Sequence, residues 1–312
     1  MVIRLSDIPE INAKAGDTPS QYAFPVFALC PPIYAGTSHQ NNPTMKEYKG
    51  KDAKIDKDKF MAQWYNFYNV IAANALVYVL TPVKGLEDQV FVNSFCYLPH
   101  FSPDTIILSN FTAEGRPGEE VVAGGLFQDL GYKVIRSTYK FEGDAELKFL
   151  RDDIYLGGHG FRTDIRTYRW LESEYGCRII PIRETDETLY HLDCSVFVLN
   201  DYNVMMCAEL MDRETVRKIE KIANVIPVSK PDAYAGICNS VKVQDCIYNS
   251  SSLQYMRRTD DGYAEEAHKN DTLERICGDI GFEIIYHDLS ELERCGGKCS
   301  CLVGNLCGEK NR

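Results

Sequence analysis

Long apolar runs and basic clusters are what this 312-residue sequence has least of. No uncharged apolar run approaches the roughly 18 residues that a membrane-spanning helix needs. The N-terminal stretch MVIRLSDIPEINAKAGD lacks the apolar segment of a secretory signal, and its early acidic residues argue against a mitochondrial presequence. We therefore expect a cytoplasmic protein without a membrane partner, whose thiols stay reduced.

Positive charge is scarce as well, since the formal net charge is −11. The densest basic stretch, Arg257-Arg258, is followed closely by acidic residues. A nucleic-acid partner would need a basic face, so we expect none. The acidic excess keeps a protein soluble, and it also favours a cationic small substrate. Composition alone leaves both explanations open.

Cysteine is the unusual abundance, with twelve in the chain. Most lie scattered in apolar runs, where they are expected to pack as small core residues. Four lie in CGGKCSCLVGNLC, at Cys295, Cys299, Cys301 and Cys307. A structural zinc site usually pairs two CxxC-type knuckles, and the sequence has no second knuckle. One nucleophilic cysteine, working with a histidine and carboxylates from elsewhere, fits the spacing better, while a zinc clip stays an alternative.

A helix followed by a strand recurs along the chain with a period of about fifty residues. Apolar periodicity predicts the helices, and a short β-branched or aromatic run after each predicts a strand. This period is typical of stacked or circularly arranged units, although an ordinary α/β domain could also show it. Residues 1–22 are predicted to form a tail and 249–262 an exposed loop, with 23–312 as a single domain. The predicted helices cover 58–75, 119–131, 164–176, 212–224 and 270–281.

Polar residues interrupt the apolar runs in several short stretches, which are therefore candidate site loops. In YHLD, His191 and Asp193 are spaced so that both would lie on one face of a strand. An imidazole beside a carboxylate can transfer protons near neutral pH. In FEGDAEL, Glu142 and Glu146 lie around a glycine turn. Alone, the H-x-D pattern is more typical of a half-buried strand with a polar outer face, and the glutamate pair is equally typical of a solvated acidic turn.

A further loop, GGHGFRTD, carries charges of both signs. Arg162 is suited to bind a carboxylate through two hydrogen bonds. Asp164 is predicted to cap the helix that begins there rather than to take part in catalysis. His159 lies in the glycine-rich turn, where it could belong to a loop or to a site.

Taken in order, these loops resemble the guanidine-modifying superfamily, the pentein or α/β-propeller enzymes. Among them they are most similar to arginine dihydrolases, dimethylargininases and amidinotransferases. The resemblance begins at CPPIYAGTSHQNNPTM (30–45) and continues through GLEDQVFVN (85–93), LSNFTAEGRPGEE (108–120), ICNSV (237–241) and HDLSELERCGGKCSCL (287–302). Each motif is weak alone, but their ordered conjunction is specific. The resemblance implies an α/β fold, a five-bladed propeller of ββαβ-type repeats around a pseudo-fivefold axis.

The resemblance also implies four catalytic residues. Cys301 matches the nucleophile, which follows a Gly-Gly pair after three intervening residues, and on that ground it is preferred to Cys299. His191 matches the general acid and base. Glu142 and Asp193 match the carboxylates that hold the guanidinium group.

Five further residues are implied to bind the substrate. Asn42 matches the asparagine of an N-P-x-M motif, and Glu146 stands where aspartate is usual. Arg116 and Arg162 match arginines that bind the substrate carboxylate or stabilise the fold. Asn93 departs from dimethylargininases, which have two acidic residues at this point, whereas dihydrolases place an asparagine there.

The implied reaction is hydrolysis of the guanidinium group of arginine, or of a close derivative, through a thiouronium intermediate on cysteine. One round releases ammonia and leaves a ureido product such as citrulline, and a second gives ornithine, ammonia and carbon dioxide. No metal or organic cofactor is implied. The alternatives are dimethylargininase or amidinotransferase activity, or a non-catalytic protein that binds a guanidino ligand or zinc. The expected partner is a small guanidino compound, and a homo-oligomer is left open.

Overall fold

Three-stranded sheets recur throughout the structure. The structure is a computed structural model that describes residues 25–49 and 55–306. Strands within these ranges form five such sheets. In each sheet the central strand pairs with one neighbour antiparallel and with the other parallel. A parallel pair needs a crossover connection, and an α-helix supplies it every time. The chain is therefore built from ββαβ units, as the family resemblance implied.

Four units follow one another along the chain, each as strand, strand, helix and strand. Their elements are β3 (Phe95–Tyr97), β4 (Thr105–Leu108), α3 (Glu119–Asp129) and β5 (Lys133–Arg136); β6 (Leu147–Arg151), β7 (Ile154–His159), α4 (Ile165–Tyr175) and β8 (Arg178–Arg183); β9 (Val196–Asn200), β10 (Asn203–Met206), α6 (Arg213–Glu220) and β11 (Asn224–Pro227); and β12 (Val241–Val243), β13 (Cys246–Ser250), α8 (Tyr263–Ile280) and β14 (Glu283–His287).

The remaining unit joins two distant parts of the chain. Its last three elements come early in the sequence, and its first strand comes from near residue 304, where Gly304 pairs with Ala28. Its elements are β15 (Gly304–Asn305), β1 (Val26–Leu29), α2 (Lys57–Ala72) and β2 (Leu76–Val79). Short helices in the connecting segments are α1 (Pro43–Lys49), α5 (Leu192–Ser195), α7 (Lys230–Tyr234) and α9 (Ser290–Glu293).

The predicted helix–strand pairs are confirmed, with two differences at their edges. Helix α8 begins at Tyr263, earlier than predicted, because Gly262 in the left-handed conformation starts it and a run of good helix formers follows. The segment predicted as an exposed loop begins inside the fold, since Asn249 and Ser250 end β13 and are fully buried. The predicted tail, residues 1–22, lies outside the described ranges.

Two stretches rich in β-branched and aromatic residues do not form one continuous strand. The segment 89–93 is a series of turns, and the strand begins only at Phe95. The stretch 242–248 is a hairpin rather than one strand, because Gln244 adopts a left-handed conformation with φ of 54° and reverses the chain.

Apolar side chains fill the space between each sheet and its helix. Helix α2 shows the pattern, since Phe60, Trp64, Phe67 and Ile71 recur at helical spacing and are all buried. Within the described residues, no helix combines the length and the apolar character that crossing a membrane would take.

Candidate active site

The predicted site residues lie in equivalent places in the repeated units. Asn93, Glu142, His191 and Cys301 each lie in the loop that leads into the first strand of a unit. Repetition of the unit thus brings residues together that are far apart in sequence. Three of these residues (Asn93, His191 and Cys301) line one cavity of about 20 Å³, which has room for about a single water molecule.

His191 is held by a buried carboxylate. Its Nε2 lies 2.8 Å from Oε2 of Glu142, and both side chains are almost completely buried. The predicted strand setting for His191 and Asp193 was wrong, because His191 is the last extended residue before the single-turn helix α5, which contains Asp193. The two side chains therefore point in different directions, and only His191 lines the cavity.

Glu142 accepts hydrogen bonds at both oxygens. The backbone N–H groups of Thr112 and Ala113 donate to Oε1, each at 3.1 Å, and Arg162 lies 3.3 Å from Oε2. Burial alone would raise the pKa of Glu142, but the hydrogen bond and charge of His191 and the charge of Arg162 outweigh it, so the pKa is lowered. Glu142 is therefore ionised and turned towards His191 and Arg162, rather than presenting an unoccupied edge to the cavity.

Cys301 lies in a one-turn 3-10 helix, Ser300–Leu302, rather than on an extended segment. Its Sγ lies 3.8 Å from Oδ2 of Asp193 and accepts a hydrogen bond from Nδ2 of Asn239 at 3.3 Å. Burial, with Asp193 next, raises the pKa of the Cys301 thiol to about 12. Cys299 belongs to the same buried apolar cluster as Cys301 but does not line the cavity.

Asp193 lines a different, larger cavity of about 140 Å³. The Ser300 hydroxyl donates a hydrogen bond to its Oδ2. Asp144 and Lys148, an ion pair at 3.6 Å, line the same larger cavity. Asp193 is thus close to the Cys301 sulfur, at 3.8 Å, without lining the cavity that contains Cys301.

The two predicted arginines have different surroundings. Arg116 is buried, binds Glu119 through two nitrogens and donates to the Phe91 carbonyl at 2.6 Å, so its role in the structure is to hold the fold. Arg162 lies across the cavity, where it pairs with Glu142, donates to the Asn41 carbonyl and stacks over the Tyr190 ring at 4.7 Å.

The glycine pair before Cys301 makes room for two cavity-lining side chains. Gly296 has φ of +84°, and a Cβ there would lie 2.4 Å from Nδ2 of Asn42. A Cβ on Gly297 would lie 2.1 Å from the Phe91 ring. Asn42 in turn donates to the Cys295 carbonyl at 3.0 Å and caps Met45, so it ties this turn to α1.

A protein-family model described as N,N dimethylarginine dimethylhydrolase, eukaryotic, matches residues 33–307. The chain belongs to this family. The description of the family is that of a hydrolase acting on dimethylarginine. The predicted membership of the guanidine-modifying enzymes is thereby confirmed.

Three similar proteins give the family its context. The bifunctional arginine dihydrolase/ornithine cyclodeaminase AgrE of Nostoc sp. is 27% identical over 284 residues, which cover 89% of this chain and 37% of AgrE. The N(G),N(G)-dimethylarginine dimethylaminohydrolase of Mycobacterium tuberculosis is 24% identical over 277 residues, covering 88% of this chain and 83% of that enzyme. The N-terminal domain of ArgZ, solved covalently bound to a reaction intermediate, superimposes with a TM-score of 0.77 at 25% identity, over 90% of this chain and 97% of that chain.

The chain spans only part of its bifunctional relatives. It covers 37% of the length of AgrE and the same share of ArgZ, the bifunctional arginine dihydrolase/ornithine cyclodeaminase of Synechocystis sp.. The similarity therefore concerns one part of those proteins.

Glu146, which replaces the aspartate usual in the family motif, does not line the cavity. Its Oε2 accepts the backbone N–H of Leu192 at 3.1 Å, next to His191. A Cβ built on Gly158 would lie 2.5 Å from this oxygen and 2.7 Å from Oε1 of Glu184, so both carboxyl groups lie close to the same glycine. Burial raises the pKa of both groups, and the neighbouring Glu146 carboxyl group helps to raise that of Glu184 well above its ordinary value.

Two other predicted loop residues lie at the edge of the site. Asp164 caps α4 by accepting from the Arg166 backbone N–H at 2.9 Å, which confirms its predicted capping role. His159 ends β7, half buried, and burial lowers its pKa. It does not line the cavity that contains Cys301.

The eleven cysteines in the described ranges are free thiols, and most are buried as predicted. No group of three or more His, Cys, Asp or Glu side chains in those ranges is arranged to hold a metal ion. Cys307, the fourth member of the predicted cluster, lies outside the described residues.

The residues of the site that were not singled out from the sequence include Asp88, Asn239, Ser300 and Glu184. Asp88 lines the cavity and accepts from Asn41 at 2.6 Å, while Asn239, Ser300 and Glu184 contact predicted residues directly. Asp88 and Asn239 stand inside quoted motifs, GLEDQVFVN and ICNSV, and Ser300 separates two cysteines. The signal for these three was their membership of motifs that follow the family order, whereas Glu184 carries no local signal.

Proposed function

We propose that the chain hydrolyses the guanidinium group of arginine through a covalent intermediate on Cys301. The observation that carries this proposal is the arrangement around one cavity. Cys301 lines it together with His191, whose imidazole is paired at 2.8 Å with the buried Glu142 carboxylate. A thiol, an oriented imidazole and nearby carboxylates are the groups that nucleophilic attack on a cation needs.

The substrate supplies the charge that activates the thiol. With its pKa raised to about 12, the free Cys301 thiol is almost entirely protonated at neutral pH. A guanidinium bound against the sulfur would stabilise the thiolate, because an opposite charge within about 4–6 Å lowers a thiol pKa. Asp193 does not line the cavity, but its Oδ2 lies 3.8 Å from the sulfur, close enough to attract a guanidinium bound against that sulfur.

Proton transfers by His191 complete the reaction. The proton of the Cys301 thiol passes to His191, the thiolate forms a C–S bond to the guanidinium carbon, and His191 gives that proton to the nitrogen that leaves as ammonia when the C–N bond breaks. His191 then takes a proton from water, which adds to the thiouronium carbon, and cleavage of the C–S bond releases a ureido product. Glu142 stabilises the protonated imidazole that these steps require.

The cavity already binds one guanidinium, that of Arg162. The Arg162 guanidinium forms an ion pair with Glu142, and its face lies over the Tyr190 ring. Both contacts suit a planar cation. Substrate entry would displace Arg162 from Glu142, which frees it to bind the α-carboxylate of arginine through two hydrogen bonds. Asp88 and Asn93 line the rest of the cavity.

Arginine is favoured over dimethylarginine by the polar lining of the cavity. Asn93 and Asp88 offer hydrogen-bond acceptors to unmethylated nitrogens, whereas two methyl groups would leave those groups unpaired. Similarity to the arginine dihydrolase AgrE points the same way. The family name and the mycobacterial relative make dimethylarginine the second candidate substrate.

The test is product analysis with each guanidino compound. Purified protein incubated with L-arginine is expected to release ammonia with citrulline, or with ornithine if the product is hydrolysed again. Cys301→Ser should abolish turnover, whereas Cys299→Ser, a buried thiol close in sequence, should retain it. Absence of all these products above the Cys301→Ser background would refute the arginine proposal. Dimethylamine released from dimethylarginine would support the second candidate, and an acceptor-dependent product would indicate amidino transfer.

We further propose that the five units are blades of an α/β propeller around a pseudo-fivefold axis, within one catalytic domain of residues 23–312. The equivalent position of the site residues, each ahead of the first strand of its unit, supports this arrangement. Contacts between β6 and β9 and between β15 and β3 link neighbouring units in chain order. An experimental structure in which the five sheets do not surround a common axis would contradict it.

A further inference from the structure

Four units contribute a predicted site residue ahead of their first strand, and the remaining unit has its own residue at that position. It is Asn239, which precedes β12 and is buried. Its side chain contacts the sulfur of Cys301, the group taken as the nucleophile. Neither the predicted catalytic set nor the predicted substrate-binding set includes Asn239.

The orientation of the Asn239 amide is determined by its surroundings. The backbone N–H of Ser300 donates to Oδ1 at 2.9 Å, so this end of the amide is the acceptor. Nδ2 is therefore the end that lies 3.3 Å from Sγ of Cys301, and it donates to the sulfur. Such a hydrogen bond strengthens when the acceptor becomes an anion, so it favours the thiolate over the thiol.

A buried polar clamp holds the turn that carries Asn239. Nδ2 of Asn249 donates to the Gly236 carbonyl at 3.0 Å and to the Ser240 hydroxyl at 2.8 Å, on either side of Asn239. Oδ1 of Asn249 accepts from the ammonium group of Lys269 at 3.1 Å. The clamp thus connects helix α8 to the turn.

Lys269 is a costly residue to bury, and its contacts account for its position. Its side chain is 0% exposed, and its ammonium group also donates to the Ser250 carbonyl at 2.5 Å and to Glu266 at 2.7 Å. With Asn249, these contacts use all three ammonium hydrogens. A buried cation whose donors are all satisfied is rigid, which suits a part that sets the position of another group.

We propose that Asn239 is a catalytic residue that stabilises the Cys301 thiolate through its Nδ2–H, and that Asn249 and Lys269 are positioning residues that hold it there. This inference rests on the proposed function only in taking Cys301 as the nucleophile. The charged and titratable groups around the sulfur are Asp193, Lys148, Tyr190, Cys194 and Cys299. All of them remain in the variants described next.

The first test measures alkylation of Cys301 by iodoacetamide between pH 7 and 9, followed by peptide-resolved mass spectrometry. Asn239→Ala removes the donor, and Asn239→Asp removes it while keeping the volume and the acceptor for Ser300. Loss of a hydrogen bond to a charged group should raise the thiol pKa by about one, which lowers the fraction of thiolate about tenfold. A more basic thiolate is also more nucleophilic, which offsets part of this loss, so alkylation should be roughly three- to tenfold slower. The Asp variant should be the slower of the two, because it adds a negative charge beside the sulfur. Parental alkylation rates in both folded variants would overturn the proposal.

The second test separates positioning from general stability. Lys269→Met should slow alkylation in the same direction as Asn239→Ala, and the double variant should be no slower than Asn239→Ala alone, because both changes act through one hydrogen bond. Asn270→Ala is the matched control: Asn270 is the buried neighbour of Lys269 on α8, bonds Ser251 instead of the clamp, and should leave alkylation unchanged. Additive effects of Lys269→Met and Asn239→Ala would overturn the clamp.

Failure of this inference differs from failure of the proposed function. Alkylation needs no substrate, so an unchanged alkylation rate in Asn239→Ala counts against the hydrogen bond even if arginine is turned over. Arginine turnover that survives Cys301→Ser would instead remove the nucleophile on which both proposals depend.

Discussion

Glu142 and Glu146 lie on either side of one 3-10 turn, and both are 0% exposed, yet their surroundings are opposite. Glu142 receives two backbone N–H groups, an imidazole and a guanidinium, and its pKa is lowered. Glu146 receives one backbone N–H and faces another carboxyl group, and burial raises its pKa. Burial is the same for both, so the partners decide which carboxyl group is charged.

The two carboxyl groups therefore have different roles near His191. Glu142 places a negative charge 2.8 Å from the imidazole and orients its ring. Glu146 supports the backbone just after His191 and lies beside the Glu184 carboxyl group. Four predictions follow this division, in order of decreasing effect.

Glu142→Gln should have the largest effect on activity. The amide keeps the shape of Glu142 but removes the negative charge 2.8 Å from His191, so we expect kcat/KM to fall by about 100-fold or more. Steady-state kinetics would measure this, with thermal unfolding to show that the variant is folded. Near-parental activity would mean that His191 does not depend on this carboxylate.

Arg162→Ala tests a partner of Glu142 that has no counterpart at Glu146. We expect kcat/KM for arginine to fall by roughly tenfold, mainly through KM, because a charged hydrogen bond contributes about 1.5–3 kcal/mol. Arg166→Ala is the control, since Arg166 is exposed and pairs with Asp164 outside the cavity. Equal losses in the two variants would remove Arg162 from the site.

Glu184→Gln should change how stability depends on pH. The pKa values of Glu146 and Glu184 are raised. The pair therefore stabilises the fold at pH values below the pKa of an ordinary carboxyl group, and this contribution is lost as the pH rises through the raised pKa values. Glutamine keeps a donor towards Glu146 but does not titrate. The variant should match the parent near pH 5 and be more stable by about 1–2 kcal/mol near pH 9.

Urea unfolding at the two pH values would measure this difference. The Glu142→Gln variant should instead lose the same stability at both pH values and approach the parent only in stronger acid, because the lowered pKa of Glu142 stabilises the fold above an ordinary carboxyl pKa. Equal destabilisation of Glu184→Gln at pH 5 and pH 9 would contradict a raised pKa of Glu184.

Glu146→Gln should have the smallest effect on turnover. The amide oxygen still accepts the Leu192 N–H, and the side chain does not line the cavity, so we expect kcat to change by less than about threefold. Kinetics side by side with Glu142→Gln would check this. A loss as large as that of Glu142→Gln would erase the distinction between the two carboxyl groups.

The repeated unit was predictable because its helices and strands follow from patterns among neighbouring residues. Helix α3 begins at Glu119 as predicted, since periodicity and helix ends are properties of neighbouring residues. The pairing of β1 with β15 was not predictable in the same way, because Ala28 and Gly304 meet through the whole fold and carry no pairing signal of their own.

The candidate site shows the same limit. Family motifs indicated Cys301 and His191, and both line one cavity. The i, i+2 spacing of His191 and Asp193 suggested one strand face, but a single helical turn separates their directions. Asn239 and Glu184 were missed because their importance lies in contacts with Cys301 and Glu146, which are distant in sequence.

The strand that closes the first sheet also affects when the site can form. Cys301 lies just before β15, and β15 pairs with β1, more than 270 residues away in sequence. A loop of that length closes slowly, since non-local pairing must wait for the chain between to order. We therefore expect the Cys301 thiol to reach His191 only at a late stage of folding. The time at which activity appears during refolding would then report when β15 pairs with β1.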